Sequence, residues 1–366
     1  MQQLPVVAYV KPTNYCNVGC EHCYLPESVR ANGLRMAPDV LVATARMIRD
    51  MAAKQRAGGV MWIWHGGEPL VVSPEWYADA SRVLDVELGD RIESIQTSLI
   101  PYRHEFAPYI HERCNSFVGS SIDFSQRKIK GSVEAYHDLW MRKVEMARAD
   151  GIRIVPGMVP TKDDVTNASA IVGWLLDRGF DEFNVERYNS FGIFNATGRP
   201  SNREHSEFLI GIFDEVVVRR MGNGLPVPRV RTLLSAIRGV LFDQPGDRWG
   251  GKCMSSFVVV EPDGSTNNCP DKANVEKSFS TVQDGVDAFF AAPRRREWIR
   301  VQSSGNPNDY CHSCENVAWC KGCCPISPNK PDTEGDCSGF SRFLSRVRLY
   351  LSTPEGRAIG ERYLNV

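Results

Sequence analysis

The stretch Cys16-Asn-Val-Gly-Cys20-Glu-His-Cys23 places three cysteines at C-x3-C-x2-C spacing, a few residues after a β-like run over 5–10. Three thiolates on one short loop can hold three corners of a [4Fe–4S] cube, a cluster that normally takes four cysteine ligands. The next cysteine along the chain is Cys114, so one iron of such a cluster would stay open to a ligand from outside the protein. The spacing alone leaves a zinc site as the alternative.

A second motif, His65-Gly-Gly-Glu-Pro69, follows a hydrophobic run over 59–64 that is predicted to form the next strand. Together with the cysteine loop, it resembles the two signatures of the radical S-adenosylmethionine (SAM) superfamily. The resemblance implies that Cys16, Cys20 and Cys23 hold a catalytic [4Fe–4S] cluster whose open iron binds SAM. It also implies that one electron breaks the sulfonium bond of SAM to give a 5′-deoxyadenosyl radical, which abstracts hydrogen from the substrate.

The resemblance assigns further residues to the SAM site. His22 precedes the last loop cysteine, where the family usually has an aromatic residue near the adenine; the alternative is a solvent-exposed loop histidine. Polar residues at the end of the fourth predicted strand lie near the ribose or carboxylate of SAM in related barrels, although such residues also commonly just turn the chain. Glu68 would receive the SAM ammonium group, and the paired glycines before it would let the backbone approach the ligand. The implied SAM-contacting residues are His22, Gly66, Gly67, Glu68, Pro69, Ser121 and Asp123.

Residues 5 to about 190 alternate strand-like and helix-like segments, which is typical of parallel βα units. Apolar residues at helical spacing run from Pro38 to Gln55, and Gly151 and Gly179 are placed to end two later helices. Six such units predict a curved, incomplete barrel, and the resemblance implies the same α/β fold, a partial (β/α)6 TIM-like barrel. Both motifs follow predicted strands, so we expect them to meet at the carboxyl edge of the sheet.

Eight of the twelve cysteines lie between 253 and 337. Four of them at paired spacing would also satisfy one zinc ion. The order Cys253-x15-Cys269, then C-x2-C-x5-C-x3-C over 311–324, then Cys337, resembles the small, cysteine-rich SPASM domain that follows the barrel in many radical SAM enzymes. The resemblance implies two auxiliary [4Fe–4S] clusters, an outer one held by Cys311, Cys314, Cys320 and Cys337 and an inner one held by Cys253, Cys269 and Cys324.

The inner set lacks a fourth cysteine, because the segment 247–252 contains none. An open iron, or a side chain such as Asp247 or Asp271, is compatible with the sequence. Cys323 occupies a position where glycine is common in the family. It could replace Cys324 as a ligand, but a small residue filling a tight turn is the favoured interpretation. Cys114, alone at a helix end, is interpreted as a buried hydrophobe.

These patterns divide the chain into four parts: a radical SAM partial barrel over 1–195, a helical bridge over 196–250, a SPASM domain over 251–340 and a C-terminal helix over 341–366. In the third part, Glu261-Pro-Asp-Gly264 follows a strand-like run over 257–260, and this turn sequence predicts a hairpin.

Composition limits the partners. The 366 residues carry a net charge of −1, so there is no basic field to attract nucleic acid, and no stretch reaches the ~18 apolar residues of a membrane span. Twelve cysteines without a secretory signal argue for a reducing, cytoplasmic compartment in which thiols serve metal or catalysis. The resemblance adds a reductant protein such as a flavodoxin or a ferredoxin.

Radical SAM enzymes that carry a SPASM domain act mostly on peptides or proteins. The resemblance therefore implies an oxidoreductase that matures a ribosomally made peptide by forming an oxidative C–C, C–O or thioether cross-link. The first strand is predicted to start near residue 5, so we expect the precursor peptide to bind the barrel directly or through a separate recognition protein. The sequence does not specify the substrate or the bond formed.

Two alternatives stay open for the function. One is oxidation of a Ser or Cys in a protein, as in sulfatase-maturing enzymes, or of a small molecule. In those maturases an Asp directly after the second SPASM cysteine is a candidate base, whereas this chain has Pro270 there and Asp271 one step later. The other, a non-catalytic iron–sulfur carrier, is disfavoured by the Gly-Gly-Glu-Pro motif.

Overall fold

The structure, a computed structural model, describes residues 4–188, 198–244, 249–250, 253, 255–270, 278–303, 309–324 and 330–366. Asp247 and Asp271, the acidic residues considered for the inner cluster, lie outside these ranges.

The strands of the described residues form one ten-stranded sheet in the order β10-β9-β8-β1-β2-β3-β4-β5-β6-β7. Neighbouring strands from β1 to β7 are parallel, which confirms the predicted series of parallel βα units. The strands are β1 Val6–Val10, β2 Val60–Trp64, β3 Ile92–Thr97, β4 Phe117–Ser121, β5 Arg153–Met158, β6 Glu182–Val185, β7 Arg229–Val230, β8 Phe257–Val260, β9 Ser265–Asn267 and β10 Ser280–Thr281.

Helices follow most of the parallel strands and cover the outside of the sheet. They are α1 Glu27–Arg30, α2 Pro38–Gln55, α3 Pro74–Glu87, α4 Ala107–Arg113, α5 Val133–Ala149, α6 Ala168–Asp177, α7 Asn202–Phe213, α8 Arg231–Phe242, α9 Gly285–Ala291, α10 Pro293–Ser303, α11 Asp309–His312, α12 Val317–Cys320, α13 Pro331–Glu334, α14 Ser341–Leu351 and α15 Pro354–Tyr363. None of the described helices is long and apolar enough to cross a membrane.

The two-residue period of a strand divides its side chains between core and barrel interior. In β2, Trp62 and Trp64 are fully buried in the core, while Met61 and Ile63, which alternate with them, line the interior cavity. The sheet therefore presents alternate residues to a central space, as a curved barrel wall does.

Local signals fix several helix ends as predicted. The helix expected over Pro38 to Gln55 has these bounds, with proline at its first position. Gly151 and Gly179 follow α5 and α6 with φ of 77° and 73°, the left-handed region that suits glycine.

The prediction of a single C-terminal helix over 341–366 is wrong in one respect. The segment contains two helices, α14 and α15. Pro354 begins α15, and the Thr353 side chain accepts a hydrogen bond from the N–H of Gly356. Proline cannot continue α14, so the chain starts a new, capped helix.

The predicted hairpin after Phe257 is confirmed, but it does not form a sheet of its own. β8 and β9 are antiparallel around Gly264, whose φ is 86°. β8 also pairs in parallel with β1, with Val260 opposite Val10. The sheet thus continues across the boundary expected at 251, and the hairpin places the end of β8 beside the segment that leads into the cysteine loop.

Candidate functional site

A cavity of about 850 Å³ lies inside the barrel, and its lining includes residues at the carboxyl ends of the strands. It brings the two sequence motifs together with part of the second cysteine group. Of the predicted site residues, Cys16, Cys20, His22, Cys23, Gly66, Gly67, Glu68, Ser121, Asp123, Cys253 and Cys324 line it. Pro69, Cys269, Cys311, Cys314, Cys320 and Cys337 are not part of its lining.

The three loop cysteines carry free thiols on one wall of this cavity. Burial raises the pKa of Cys16 to about 11 and that of Cys20 to about 12, and it also raises the pKa of Cys23. Among the described residues, no group of three cysteine, histidine or carboxylate side chains is arranged to hold a single metal ion. Three reduced thiols around one cavity fit the donor set of a cubane cluster, and loading it would release their protons.

The paired glycines pack against backbone and leave no room for a side chain. A Cβ on Gly67 would lie 2.3 Å from the carbonyl oxygens of Asn14 and Tyr15, and one on Gly66 would lie 2.4 Å from that of Thr13. The Gly67 N–H donates to the Thr13 carbonyl at 3.1 Å. The sequence predicted that these glycines let the backbone approach a ligand; the contact that the structure shows is with the segment just before the cysteine loop, and it holds the two motifs in register.

Glu68 is buried, and its carboxylate accepts four hydrogen bonds. The donors are the N–H of Leu70 at 3.0 Å, the N–H of Ser98 at 2.7 Å, and the hydroxyls of Thr97 and Ser98. These bonds tie the motif after β2 to the end of β3. A carboxylate offers about four acceptor positions, so an incoming SAM ammonium group would have to share one of them.

Asp123 and His22 meet at the cysteine loop, and Asp123 also pairs with Arg127, a residue that no sequence motif singled out. The Arg127 Nε donates to Asp123 at 2.5 Å, and His22 Nε2 lies 3.7 Å from the same carboxylate oxygen. The Val159 N–H also donates to Asp123, at 2.8 Å. The His22 side chain is 12% exposed, with its ring 5.9 Å from that of Tyr188, so the exposed-histidine alternative is wrong.

Burial and neighbouring charges act in opposite directions on the pKa values of Asp123, His22 and Cys20. Burial alone would raise the pKa of Asp123, but the neighbouring His22 and Arg127 and the hydrogen bonds from Arg127 and the Val159 N–H together lower it. Burial lowers the pKa of His22, so the ring is neutral near neutral pH and the lasting positive charge is that of Arg127. This guanidinium also favours the thiolate form of Cys20 against the effect of burial. Arg127 thus supplies fixed positive charge beside the cysteine loop.

His65, the first residue of the second motif, also lines the cavity. Its Nδ1 lies 3.4 Å from the Tyr24 hydroxyl, and its ring lies 5.0 Å from that of Tyr9. Burial, followed by the nearby charge of Lys11, lowers the pKa of His65 to about 3. The ring is therefore a neutral hydrogen-bonding group in the cavity wall.

Lys11 is completely buried at the end of β1 and pairs with Glu261 at the end of β8. The Lys11 Nζ donates to Glu261 at 2.7 Å, and the Asn14 side-chain amide donates to the other oxygen of the same carboxylate at 3.0 Å. This buried pair links the strand that precedes the cysteine loop to the hairpin of the cysteine-rich region.

The cysteines of the second group divide between two places. A Cβ on Gly339 would lie 3.0 Å from the Cys320 sulfur and 3.5 Å from the Cys337 sulfur, so these two proposed outer ligands are neighbours. Cys253 and Cys324 line the main cavity, and Cys323 belongs to both places, since it lines this cavity and is hydrogen-bonded with Cys320. Cys114, interpreted as a buried hydrophobe, is 2% exposed within the core.

Comparisons with known proteins agree with this geometry. A sequence model of the Radical SAM superfamily matches residues 10–166. The serine-type anaerobic sulfatase-maturating enzyme of Bacteroides thetaiotaomicron is 22% identical over 95% of this chain and 90% of that protein. The enzyme of the same name from Klebsiella aerogenes is 22% identical over 91% of this chain and 82% of its own length.

Two solved structures share the fold. Native anSMEcpe with bound AdoMet superposes with a TM-score of 0.80 and 20% identity, covering 98% of this chain and 100% of that chain. Streptococcus suis SuiB bound to precursor peptide SuiA gives a TM-score of 0.59 and 14% identity, covering 88% of this chain and 72% of that chain.

Proposed function

We propose that this chain, whose residues 10–166 match the Radical SAM superfamily model, is a radical SAM enzyme that abstracts a hydrogen atom from a residue of a peptide or protein. The observation that carries the proposal is one cavity lined by Cys16, Cys20 and Cys23, by the Gly-Gly-Glu turn, and by cysteines of the second group. Cys16, Cys20 and Cys23 would hold a [4Fe–4S] cluster. When bound, that cluster supplies the electron that cleaves SAM to a 5′-deoxyadenosyl radical.

The chain's own residues would position and protect this chemistry. The contact of Gly66 and Gly67 with the backbone of 13–15 fixes the cysteine loop against the end of β2. Glu68 holds the ends of β2 and β3 together, and the Gly66 and Gly67 backbone next to it would border the SAM amino acid moiety. His22 would lie against the adenine, and Ser121 and Asp123 would border the ribose side of the cavity. Enclosure by the barrel wall would keep water from the radical.

We place the two auxiliary clusters on the second cysteine group, as the SPASM spacing implies. Cys311, Cys314, Cys320 and Cys337 would hold the outer cluster. Cys253, Cys269 and Cys324 would contribute to the inner one, and two of them, Cys253 and Cys324, line the same cavity as the cysteine loop. In this arrangement an auxiliary cluster can accept the second electron of a net two-electron oxidation, and a flavodoxin- or ferredoxin-type protein would deliver the first.

For the product we favour an oxidative cross-link in a ribosomally made peptide, bound directly or through a recognition protein. The supporting observation is Pro270, which follows the second SPASM cysteine and lines the cavity. A proline side chain cannot accept a proton, so the position at which sulfatase-maturing enzymes have a candidate base is inert here. The second candidate, oxidation of a Ser or Cys side chain, is favoured by the similarity to serine-type sulfatase-maturating enzymes over 95% of this chain.

The test of the radical chemistry is SAM cleavage by the anaerobically reconstituted, chemically reduced chain. We expect 5′-deoxyadenosine, measured by chromatography, and its loss when Cys16, Cys20 and Cys23 are all replaced by Ala. Cys114→Ala is the matched control, because Cys114 also lines the cavity but lies outside the loop. Deoxyadenosine formed equally by the triple variant would refute the proposal.

A second assay, carried out on candidate peptides, distinguishes the two possible products. Both a cross-link and oxidation of serine to an aldehyde remove two hydrogens, so mass alone does not distinguish them. An aldehyde reacts with a hydrazide reagent, whereas a cross-linked peptide does not react and resists fragmentation between the joined residues. A hydrazide adduct at a serine would decide for the second candidate.

A further inference from the structure

The part of the main cavity between the end of β6 and the start of α8, here called the β6–α8 corner, carries polar side chains that the SAM site described above does not use. Its lining residues are Asn184 and Glu186 at the end of β6 and Arg231, Thr232 and Ser235 at the start of α8.

The two elements are joined directly at this corner. The Thr232 hydroxyl donates a hydrogen bond to the Val185 carbonyl at 3.3 Å, which holds the start of α8 against the end of β6. Asn184 and Glu186 are two residues apart on one strand, so their side chains lie on the same face. Glu186 and Arg231 are exposed and line the cavity, so a ligand can reach this corner from solvent.

The start of α8 is a place of positive charge. The helix has 12 residues, and Val230 at its N-cap offers no side-chain acceptor, so the first N–H groups lack the usual capping partner. The aligned peptide dipoles give this helix end a partial positive charge, and Arg231 adds a full one. An uncapped helix N-terminus of this kind suits an anion.

Two further polar groups at the corner have no partner of their own. Ser235 is 6% exposed and lines the cavity, and its hydroxyl makes no hydrogen bond to the residues that the structure describes. The side-chain oxygen of Asn184 is buried and also lacks a hydrogen-bond partner. Buried polar groups are normally hydrogen-bonded, so both groups point to a ligand in the cavity.

The chemistry of these groups differs. The Ser235 hydroxyl, the N–H groups of α8 and the Arg231 guanidinium donate hydrogen bonds, whereas the Asn184 oxygen accepts one. Glu186 is a carboxylate at the same corner and competes with any anion for Arg231. A ligand that satisfies the corner therefore carries a carboxylate close to an N–H group, as a peptide does.

We propose that the β6–α8 corner binds a carboxylate of the substrate peptide. Arg231, the first N–H groups of α8 and the Ser235 hydroxyl hold the carboxylate, and the Asn184 oxygen accepts a hydrogen bond from a neighbouring peptide N–H. This assignment rests on the proposed function, because it requires a peptide substrate. The carboxylate belongs either to an acidic side chain or to the C-terminus of the peptide, since both present the same two oxygens.

The test measures the binding of three acetylated tetrapeptides to the full, anaerobically reconstituted chain, by calorimetry at low ionic strength. The first peptide has an internal aspartate and an amidated C-terminus. The second has asparagine in place of the aspartate, and the third is the asparagine peptide with a free C-terminal carboxylate. SAM cleavage is not needed for this assay, so a failure of the radical chemistry is detected separately, as missing 5′-deoxyadenosine.

Four variants probe the corner. Arg231→Gln removes the charge at the helix end, Arg231→Lys keeps it, and Ser235→Ala removes the hydroxyl. Arg238→Gln is the matched control, because Arg238 is an exposed arginine about two turns further along α8 and does not line the cavity. A fifth variant, Glu186→Gln, removes the competing carboxylate and should tighten the binding of the carboxylate peptides.

We expect at least one carboxylate peptide to bind about tenfold more tightly than the neutral peptide, because it alone makes charge-assisted hydrogen bonds. Arg231→Gln should abolish this preference, Ser235→Ala should reduce it, and Arg231→Lys should keep most of it. A preference for the aspartate peptide alone assigns the corner to an acidic side chain, and a preference for the free C-terminus alone assigns it to the end of the peptide.

Two results would overturn the proposal. One is equal binding of all three peptides, or a preference that Arg238→Gln reduces as much as Arg231→Gln does. The other is a loss of SAM affinity in Arg231→Gln as large as the loss of peptide affinity, which would assign the corner to the carboxylate of SAM.

Discussion

Replacing Glu261 by Gln should destabilise the protein far more than the loss of an ordinary ion pair. Lys11 is completely buried, and Glu261 is its partner at 2.7 Å. Removing one member of a buried pair leaves an uncompensated charge, which typically costs about 3–5 kcal/mol. Glutamine keeps the size of the side chain and one acceptor oxygen, so we expect the lower end of this range, about 3 kcal/mol.

The assay is equilibrium unfolding in denaturant, monitored by circular dichroism on the cluster-free chain. Asp287→Asn is the matched control, because Asp287 pairs with Lys54 at 2.9 Å on the surface, where its side chain is 84% exposed. Exposed pairs of this kind contribute little. The double variant Lys11→Met/Glu261→Gln should recover part of the loss, since no buried charge then lacks a partner.

The Glu261→Gln substitution should also affect the cysteine loop. Glu261 also accepts a hydrogen bond from Asn14, two residues before Cys16. We therefore expect Glu261→Gln to take up iron at the loop less completely than the parent chain. A loss of stability no greater than that of Asp287→Asn would refute the view that the Lys11 pair holds the hairpin against the loop.

Three further outcomes can be measured. Because the pKa of His65 falls from 6.5 to about 3 on folding, the unfolded chain binds the proton first as the pH falls, and stability should be lost from about pH 6.5 downward. Acidifying from about pH 7 to 5 should lower the free energy of unfolding by about 2 kcal/mol through this group. This loss should be absent from His65→Gln and should persist when the exposed His104 is replaced. Gly67→Ala should lower the melting temperature and iron uptake, because its Cβ would meet backbone oxygens at 2.3 Å, whereas Gly33→Ala, with open space around it, should not. The reconstituted wild-type chain should hold about twelve irons, and a content of four irons with two zinc ions would contradict the auxiliary clusters.

The sequence by itself was sufficient for features that depend on neighbouring residues. The spacing of Cys16, Cys20 and Cys23 within one loop identifies the candidate site, since no distant residue is needed to bring these thiols together. The bounds of α2 follow from apolar periodicity and a proline at its start. The same holds for the alternation of strands and helices that predicts the barrel.

The tertiary structure alone decided features that depend on residues distant in sequence. Glu68 meets Thr97 and Ser98, Arg127 reaches the cysteine loop, and β8 pairs with β1 across about 250 residues. Neither the pairing of parallel strands nor the partner of a buried charge produces a local pattern in the sequence. The identity of one residue does not determine which distant residue it will contact. The chain therefore encodes its candidate cluster ligands in short motifs, while the charges and contacts around those cysteines arise only when the sheet forms.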